Sequence, residues 1–486
     1  MPRTGRIDFE GGVRPMTWRE GLSSFVGRLP ARQIGRAASW DGGTAVKTRT
    51  VRVGQLDVAS AGASVWVVAG PVRKDAGSRA GAVLDRMASM GPHFRVGLGP
   101  SPHTRRWRYT EKPSRNAKAT VDISGCATAQ QVLDRVVGHP VAAPISVAQA
   151  GEYLCVRFDH GIGDAHLMTE TVAALSHATD GFADPPPVPT ITSPVRVAIG
   201  HNLKAGLSEV TRQAVGLAQA RSFPSLAGQS AACRGAPAAE GAGAPGDAGV
   251  TGGYRAVFVK SEERFADQVR AWRDATGGCT SLTALLMWSI CRALRDAGVT
   301  LADDCGVLVD LRRFLPAGAH TLANFCTVAR VRGAADTSYE KFSAELRATA
   351  ESVGPLVKLA AYLGSTRLCA ALRGRRGQPW WVAGSPQGSV VHLTISDISK
   401  MPALAKIAWT RPAEAELAVA LPPGSPAHLS TALRVTAHGS VQVTATFPAA
   451  LVAVDTVRGA LQAALTLENL CAPPEITCAV DGNSAA

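Results

Sequence analysis

The sequence predicts a two-part fold of mixed strands and helices, α/β or α+β, on three observations. Its 486 residues, 46% of them hydrophobic, exceed one ordinary core and point to two. Strand-like and helix-like periodicities occur on both sides of the middle of the chain. Between them runs "SLAGQSAACRGAPAAEGAGAPGDAGVTGG", Ser225 to Gly253, built from Ala, Gly and Pro with almost no large apolar side chain. Such a stretch reads as a linker or long surface loop. The predicted organisation is a first subdomain over 1–224, the linker over 225–253, a second subdomain over 254–471 and a loose tail over 472–486.

The elements follow in order. "SVWVVAG" from Ser64 is an extended apolar run, and Val83, Leu84, Met87 and Met90 then recur at helical spacing. "YLCVRF" from Tyr153 reads as a short strand, and Leu167, Met168, Val172 and Leu175 as the stripe of the helix after it. "DPPPVPTITSP" from Asp184 breaks regular structure ahead of the linker. Beyond the linker, Leu282, Leu285, Leu286, Ile290 and Leu294 form a 3.6-residue stripe that starts after the capping-type Thr280 and Ser281 and stops at Gly298. "CGVLVDLRRFLP" is a buried-strand pattern ending in charge. "ALRVTAHGSVQVTATF" alternates on both sides of His438 and Gly439 as a hairpin does, and "VDTVRGALQAALTLENL" closes as an amphipathic helix. No short repeat is visible.

Composition narrows the function classes. The balance of 51 Lys+Arg against 38 Asp+Glu gives a formal +13, which favours acidic partners such as phosphate-bearing cofactors or acidic carrier proteins. The arginines are scattered and no basic run is interleaved with aromatics, which argues against a nucleic-acid surface. The ten cysteines include no C-x-x-C pair and no Cys/His cluster at zinc spacing, so they read as small buried hydrophobes with reduced thiols, and no metal is expected. The N-terminal "MPRTGRIDFEGGVRP" lacks the apolar core of a secretory signal, and no run approaches the ~20 apolar residues of a membrane span. The expectation is a soluble cytoplasmic monomer.

One stretch carries chemistry. In "YLCVRFDHGIGDAHLM", His160 sits where a strand ends, Gly161 and Gly163 allow positive φ or close backbone approach, and Asp164 falls near the start of the next helix, where its charge is favourable. A neutral imidazole there can take a proton from an amine or hydroxyl. Asp164 could instead shape the loop by pairing with a distant arginine. On spacing alone, a turn that only reverses the chain is the simpler reading.

Its neighbours add weight. "RFDHGIGDAHLM" resembles the H-H-x-x-x-D-G signature of the condensation-domain superfamily of peptide-synthetase condensation domains and H-x-x-x-D acyltransferases. "VDLRRFLP" followed by "ANFCTV" resembles its D-x-R…G-N-F segment, and "LTISDIS" its S-N-x-G strand, in the family's order over roughly residues 50 to 470. The resemblance implies two chloramphenicol-acetyltransferase-like subdomains in a V with a central tunnel. It implies His160 as general base, Asp164 as the structural aspartate, and Arg312 as its partner with Arg313 competing. Ser396 and Asp397, where the family carries asparagine, would lie near the tunnel, although a strand-end aspartate facing water fits Asp397 equally. Asn324 would place backbone. The chain departs from the pattern at Asp159, which replaces the first histidine, and at Ala165, which replaces the final glycine. Asp159 would raise the pKa of His160 if the two side chains approached.

The implied activity is transfer of an acyl group from a coenzyme A or phosphopantetheinyl carrier-protein thioester to an amine or hydroxyl of a small molecule. Donor and carrier would come and go, with no permanently bound cofactor. Backbone amides near Gly161 to Gly163 could stabilise the oxyanion. The composition suggests bacterial specialised metabolism. The rival reading is a non-catalytic module of the same fold that docks a carrier protein or partner. His166, His177, His392 and His438 read as structural or exposed.

Overall fold

A computed structural model of the chain describes residues 48–117, 121–139, 143–177, 191, 193–205, 253–276, 281–332, 338–373, 390–421 and 427–471. The predicted linker except Gly253, the tail, most of the proline-rich stretch and Thr280 lie outside the described residues. The first half runs β1 (Thr48–Arg52), α1 (Gln55–Ser60), β2 (Ser64–Gly70), α2 (Ala76–Ser89), β3 (Leu98–Gly99), β4 (Arg106–Thr110), α3 (Ala129–Val136), β5 (Ile145–Ala150), β6 (Tyr153–Asp159), α4 (Ala165–Ser176) and α5 (Pro194–Ala205). The second runs β7 (Tyr254–Lys260), α6 (Phe265–Ala275), α7 (Leu282–Asp296), β8 (Asp304–Asp310), β9 (Cys326–Arg332), α8 (Tyr339–Glu351), α9 (Gly354–Arg373), β10 (His392–Asp397), β11 (Glu416–Ala420), β12 (His428–Val435), β13 (Val441–Pro448), α10 (Val454–Ala464) and α11 (Leu467–Cys471).

Local sequence accounts for the ends of several elements. Ser281 Oγ accepts from the Ala284 amide at 3.1 Å and caps α7. Gly439, at φ +75°, turns the β12–β13 hairpin, which closes antiparallel from Val435↔Val441. The closing helix, predicted as one, is two. Thr466 Oγ donates to the Ala463 carbonyl at 3.0 Å and accepts from the Asn469 amide at 3.4 Å, ending α10 and capping α11.

Strands assemble into a small β1-β4-β3 sheet, a four-stranded antiparallel sheet in the order β11-β2-β6-β5, and a six-stranded mixed sheet in the order β7-β13-β12-β10-β8-β9. Strand β2 reads as an unbroken apolar run because both its faces are buried. Val65 and Val67 face α2 and α4, whereas Trp66 and Val68 face α3 with Phe258 of β7. The six-stranded sheet packs one face on α7 and α10, through Leu393, Ile395, Leu429, Leu433 and Val443 against Leu286, Ile290, Val457 and Leu461. Its other face is buried but polar: Thr394, His428, Ser430, Arg434, Gln442, Thr444 and Thr446 are all at most 8% exposed.

Strand β11 explains that polar face. It belongs to the second half in sequence, yet pairs with β2 from Glu416↔Gly70 to Ala420↔Trp66. As an edge strand it turns alternate amides away from β2, and these need partners. Gln442 Oε1 accepts from the Leu417 amide at 3.0 Å, Thr444 Oγ accepts from the Val419 amide at 3.2 Å, and Gln442 Nε2 donates to the Ala415 carbonyl. Ile398, Ala403, Leu404 and Ile407 also pack into the first-half core, so residues 398–421 sit on the first-half sheet. Among the described residues, no helix is long and apolar enough to cross a membrane.

Gln442→Ala should lower unfolding free energy by about 1–3 kcal/mol, because it leaves the Leu417 amide of β11 and the Ala415 carbonyl just before it unpaired. Urea titration of the two proteins measures this, and an unchanged midpoint would remove Gln442 as the stitch.

Candidate active site around His160

The site is built on the turn between β6 and α4. His160 to Ile162 form a single 3-10 turn, and Asp164 is the N-cap of α4, its Oδ1 accepting from the His166 amide at 3.2 Å. Neither glycine of the turn has a left-handed φ; close packing is what requires them. A Cβ at Gly161 would lie 2.8 Å from Ala61 Cα, and one at Gly163 would lie 2.6 Å from the Leu322 carbonyl oxygen. Ala165, where the family pattern has glycine, is an ordinary first helical residue, so the helix starts without glycine there.

His160 Nδ1 lies 3.1 Å from the Gly163 carbonyl oxygen. A carbonyl only accepts, so in the neutral ring Nδ1 carries the proton and Nε2 keeps its lone pair. The residue lines a cavity of about 60 Å³. Its walls are Val65, Met168, Leu308 and Val419, and Thr394, Ser396 and Ser430 come from the polar face of the six-stranded sheet. Thr394 Oγ is paired with His428 Nε2 at 2.8 Å. Among the described residues, the hydroxyls of Ser396 and Ser430 have no hydrogen-bond partner. Cys326 also lines the cavity, and burial pushes its thiol far above the ordinary range, so it is held protonated.

The turn is held from behind. Asn324 Nδ2 donates to the His160 carbonyl at 2.8 Å and the Gly161 carbonyl at 3.3 Å, and Arg95 donates to the carbonyls of Gly161 and Ile162. Asp57, 1% exposed, pairs with Arg95 at 2.9 Å and accepts from the Asn324 amide at 3.1 Å. The amides of the turn are committed as well. That of His160 donates to the Ala63 carbonyl, Gly161 to Asp159 Oδ1 at 2.8 Å, and Gly163 to the His160 carbonyl at 3.3 Å. Of the backbone oxyanion donors expected near Gly161 to Gly163, the amides of Gly161 and Gly163 are therefore already used inside the turn.

Asp159 spends its carboxylate on the amides of Gly161 and Gly62, the latter at 3.0 Å, and not on the His160 ring. Burial pushes its pKa up, against those two hydrogen bonds and the Arg157 and His160 charges. Asp397 does not line the cavity; it accepts from Thr283 Oγ at 2.8 Å and from the Ser399 amide at 2.8 Å, as a strand-end cap.

Arg312 spends all five N–H groups. Two go to Asp164, from NH1 and NH2 at 3.0 Å each; the others go to Asp310 Oδ1 at 3.0 Å and to the carbonyls of Thr321 and Ala323 at 2.9 Å. Asp164 also accepts from the Phe325 amide at 3.0 Å. Arg313 lies over the Phe314 ring and takes no part. His166 Nε2 is 2.9 Å from Asp310 Oδ2, so its ring is a donor that extends the network. Burial raises the Asp310 pKa, but the His166 hydrogen bond and the Arg312 charge outweigh it and hold the carboxyl at about 2. Sequence reasoning missed this role of His166, whose only signal is its place two residues after the N-cap, and missed Asp57 and Arg95, which have no motif. Among the described residues, no cluster of His, Cys, Asp and Glu could hold a metal ion.

This geometry can be set beside known proteins. No protein-family model and no curated protein matches the sequence. Solved structures do match. The EpoB peptide-synthetase cyclization-docking bidomain from Sorangium cellulosum matches with a TM-score of 0.50 at 11% identity, over 85% of this chain and 81% of that one. The trichothecene 15-O-acetyltransferase of Fusarium sporotrichioides matches with a TM-score of 0.50 at 12% identity, over 86% and 96%. The fold is the one that these two structures share. A nonribosomal peptide synthetase in its AMPPNP-bound form matches with a TM-score of 0.49 at 15% identity over 88% of this chain, which spans only 43% of that structure.

Arg312→Leu leaves the Asp164 carboxylate buried and unpaired and should cost about 3–5 kcal/mol. Asp164→Asn keeps the cap acceptor and leaves Arg312 with Asp310, so it should cost less. Urea unfolding of both variants checks the order; the reverse order would mean that the pair does not govern the loop.

Proposed function

We propose that this protein is an acyltransferase that moves an acyl group from a thioester, carried by coenzyme A or by a phosphopantetheinyl carrier protein, to an amine or hydroxyl of a small molecule. The observation that carries the reading is the His160 ring, oriented by the Gly163 carbonyl and lining a cavity together with two hydroxyls that have no partner among the described residues. The condensation-type fold supports it, because enzymes of that fold include the acetyltransferase named above. The composition fits a bacterial specialised-metabolite pathway.

In this reading, His160 Nε2 takes the proton of the acceptor N–H or O–H as the heteroatom attacks the thioester carbonyl. The carbon becomes tetrahedral and its oxygen takes the negative charge. Ser396 or Ser430, standing on neighbouring strands β10 and β12, donates to that oxyanion in place of the occupied Gly161 and Gly163 amides. Collapse breaks the carbon–sulfur bond, the imidazolium returns the proton to the departing sulfur, and the products are an ester or amide and a free thiol. The high thiol pKa of Cys326 supports direct transfer without an acyl-cysteine intermediate.

Asp164, Arg312, Gly161 and Gly163 act on this chemistry only by fixing the turn, and Asp397 and Asp159 have structural partners. His160→Ala should cut product formation by about 100-fold or more in a folded protein, read by mass spectrometry with a panel of acyl-coenzyme A and acyl-carrier donors against pooled amines and alcohols. Undiminished product in the variant would remove His160 from the mechanism, and absence of product with every donor would favour the carrier-docking module.

The hydroxyl proposal has its own test. Ser396→Ala and Ser430→Ala should be measured separately, and the one that supplies the oxyanion donor should lower kcat by about 10²-fold or more with KM little changed. Full kcat in both would place the donor elsewhere.

A further inference from the structure

The His160 cavity bears on which acyl group can be transferred. At the tetrahedral stage one carbon holds four substituents: the oxyanion, the thioester sulfur, the incoming heteroatom and the acyl chain. Sulfur and heteroatom lead to bodies that extend beyond the site, so the acyl chain alone can end inside it. Its direction follows from the hydroxyls. With the oxygen turned to Ser396 or Ser430 on the six-stranded sheet, the chain points away from that sheet, toward Val65, Met168, Val419 and Leu421 on the first-half side.

Space there is limited. The cavity measures about 60 Å³. A water-sized group needs roughly 10–15 Å³ of such space, so the cavity holds about four to six heavy atoms, two of which are the carbonyl itself. Val65 and Met168 are buried in the first-half core, and a longer chain would have to displace side chains packed behind them. The lining also has no charge to offer. Neither lysine nor arginine is among its described residues. Asp164 is taken by Arg312 and the Phe325 amide, and the Cys326 thiol is held protonated. A carboxylate on the acyl chain would find no cation, and an ammonium, as in an aminoacyl group, would find no unpaired carboxylate.

We propose that the His160 cavity selects a short, uncharged acyl group of about two to five carbons, with Met168 and Leu421 setting the limit on its length; this rests on the acyl-transfer reading. Met168 stands on α4 one turn after Asp164, and Leu421 directly follows β11. They are the two longest apolar side chains on the side toward which the acyl chain points, so shortening either deepens the cavity.

N-acetylcysteamine thioethers bearing a 2-oxoalkyl chain test it, because they keep the carbonyl, cannot transfer it and carry the thiol arm common to coenzyme A and carrier proteins. In isothermal titration of the full chain, the 2-oxopropyl and 2-oxopentyl compounds should bind at least ~10-fold more tightly than the 2-oxononyl compound and than the 4-carboxy-2-oxobutyl compound. Met168→Ala should narrow the gap to the 2-oxononyl compound by ~10-fold or more, and Leu421→Ala, at a half-buried position, gives the same reading if the first variant does not fold. Acetyl, butanoyl and octanoyl groups offered on coenzyme A and on a carrier protein in the product assay then identify the donor. Product from all three at equal rates would keep acyl transfer and remove the size limit, whereas size-selective binding without product from any donor would keep the limit and remove acyl transfer. Equal affinity for the short and 2-oxononyl compounds, an unchanged gap in both variants, or no saturable binding by either short compound would each overturn the proposal.

Discussion

The site depends on one guanidinium. Arg312 leaves the end of β8, and its five donors reach the N-cap of α4, its own strand end and two carbonyls of the loop that leads into β9. A planar, always-charged fork can satisfy two carboxylates and two carbonyls at fixed angles; an ammonium cannot. Because Asp164 starts the helix that follows His160, fixing Asp164 fixes where the imidazole stands. The same contact brings the 321–325 segment close enough for Asn324 to reach the turn's carbonyls. Burial makes the network expensive to break, and completeness of its hydrogen bonds is what makes it stable at all.

The second theme is a sheet face that is buried without being greasy. The side of β10, β12 and β13 turned toward β11 carries threonines, serines, a glutamine and an arginine where a sandwich would ordinarily place valine and leucine. Part of that polarity serves β11, whose outward amides would otherwise have no partner. Another part, at Ser396 and Ser430, has no hydrogen-bond partner among the described residues and borders the His160 cavity. Arg434, with no carboxylate paired to it among the described residues, stacks on Trp409 and bonds Gln442 at 3.3 Å. Burial lowers its pKa to about 10, still high enough to keep the charge at neutral pH.

Much of this was legible in the sequence, and the reasons are local. α7, the β12–β13 hairpin and the β6-turn-α4 unit each carry their own periodicity and punctuation, so single segments suffice to place them. The Asp164–Arg312 contact came into view only through the resemblance of "DLR" to a family motif. β11 was illegible: "ELAVA" is a plausible strand, but nothing in five residues says that its partner is β2. The Asp57–Arg95 pair was equally hidden, because a buried ion pair between distant segments leaves no pattern in either. Gly161 and Gly163 were read for positive φ and close backbone approach, and only the second applies: the space a Cβ would fill is taken by Ala61 and Leu322, neighbours far away in sequence.

The late arrival of β11 also bears on how the chain is made. On the ribosome, β2, β6 and β5 emerge with their helices long before residue 416, and until then β2 presents an open, fully apolar edge. The first half cannot be sealed by itself; it must wait for most of the second to be translated. A nascent chain of this protein therefore spends most of its synthesis with a sticky strand uncovered, and chaperone demand during expression should track the time needed to reach residue 420 rather than the size of either half.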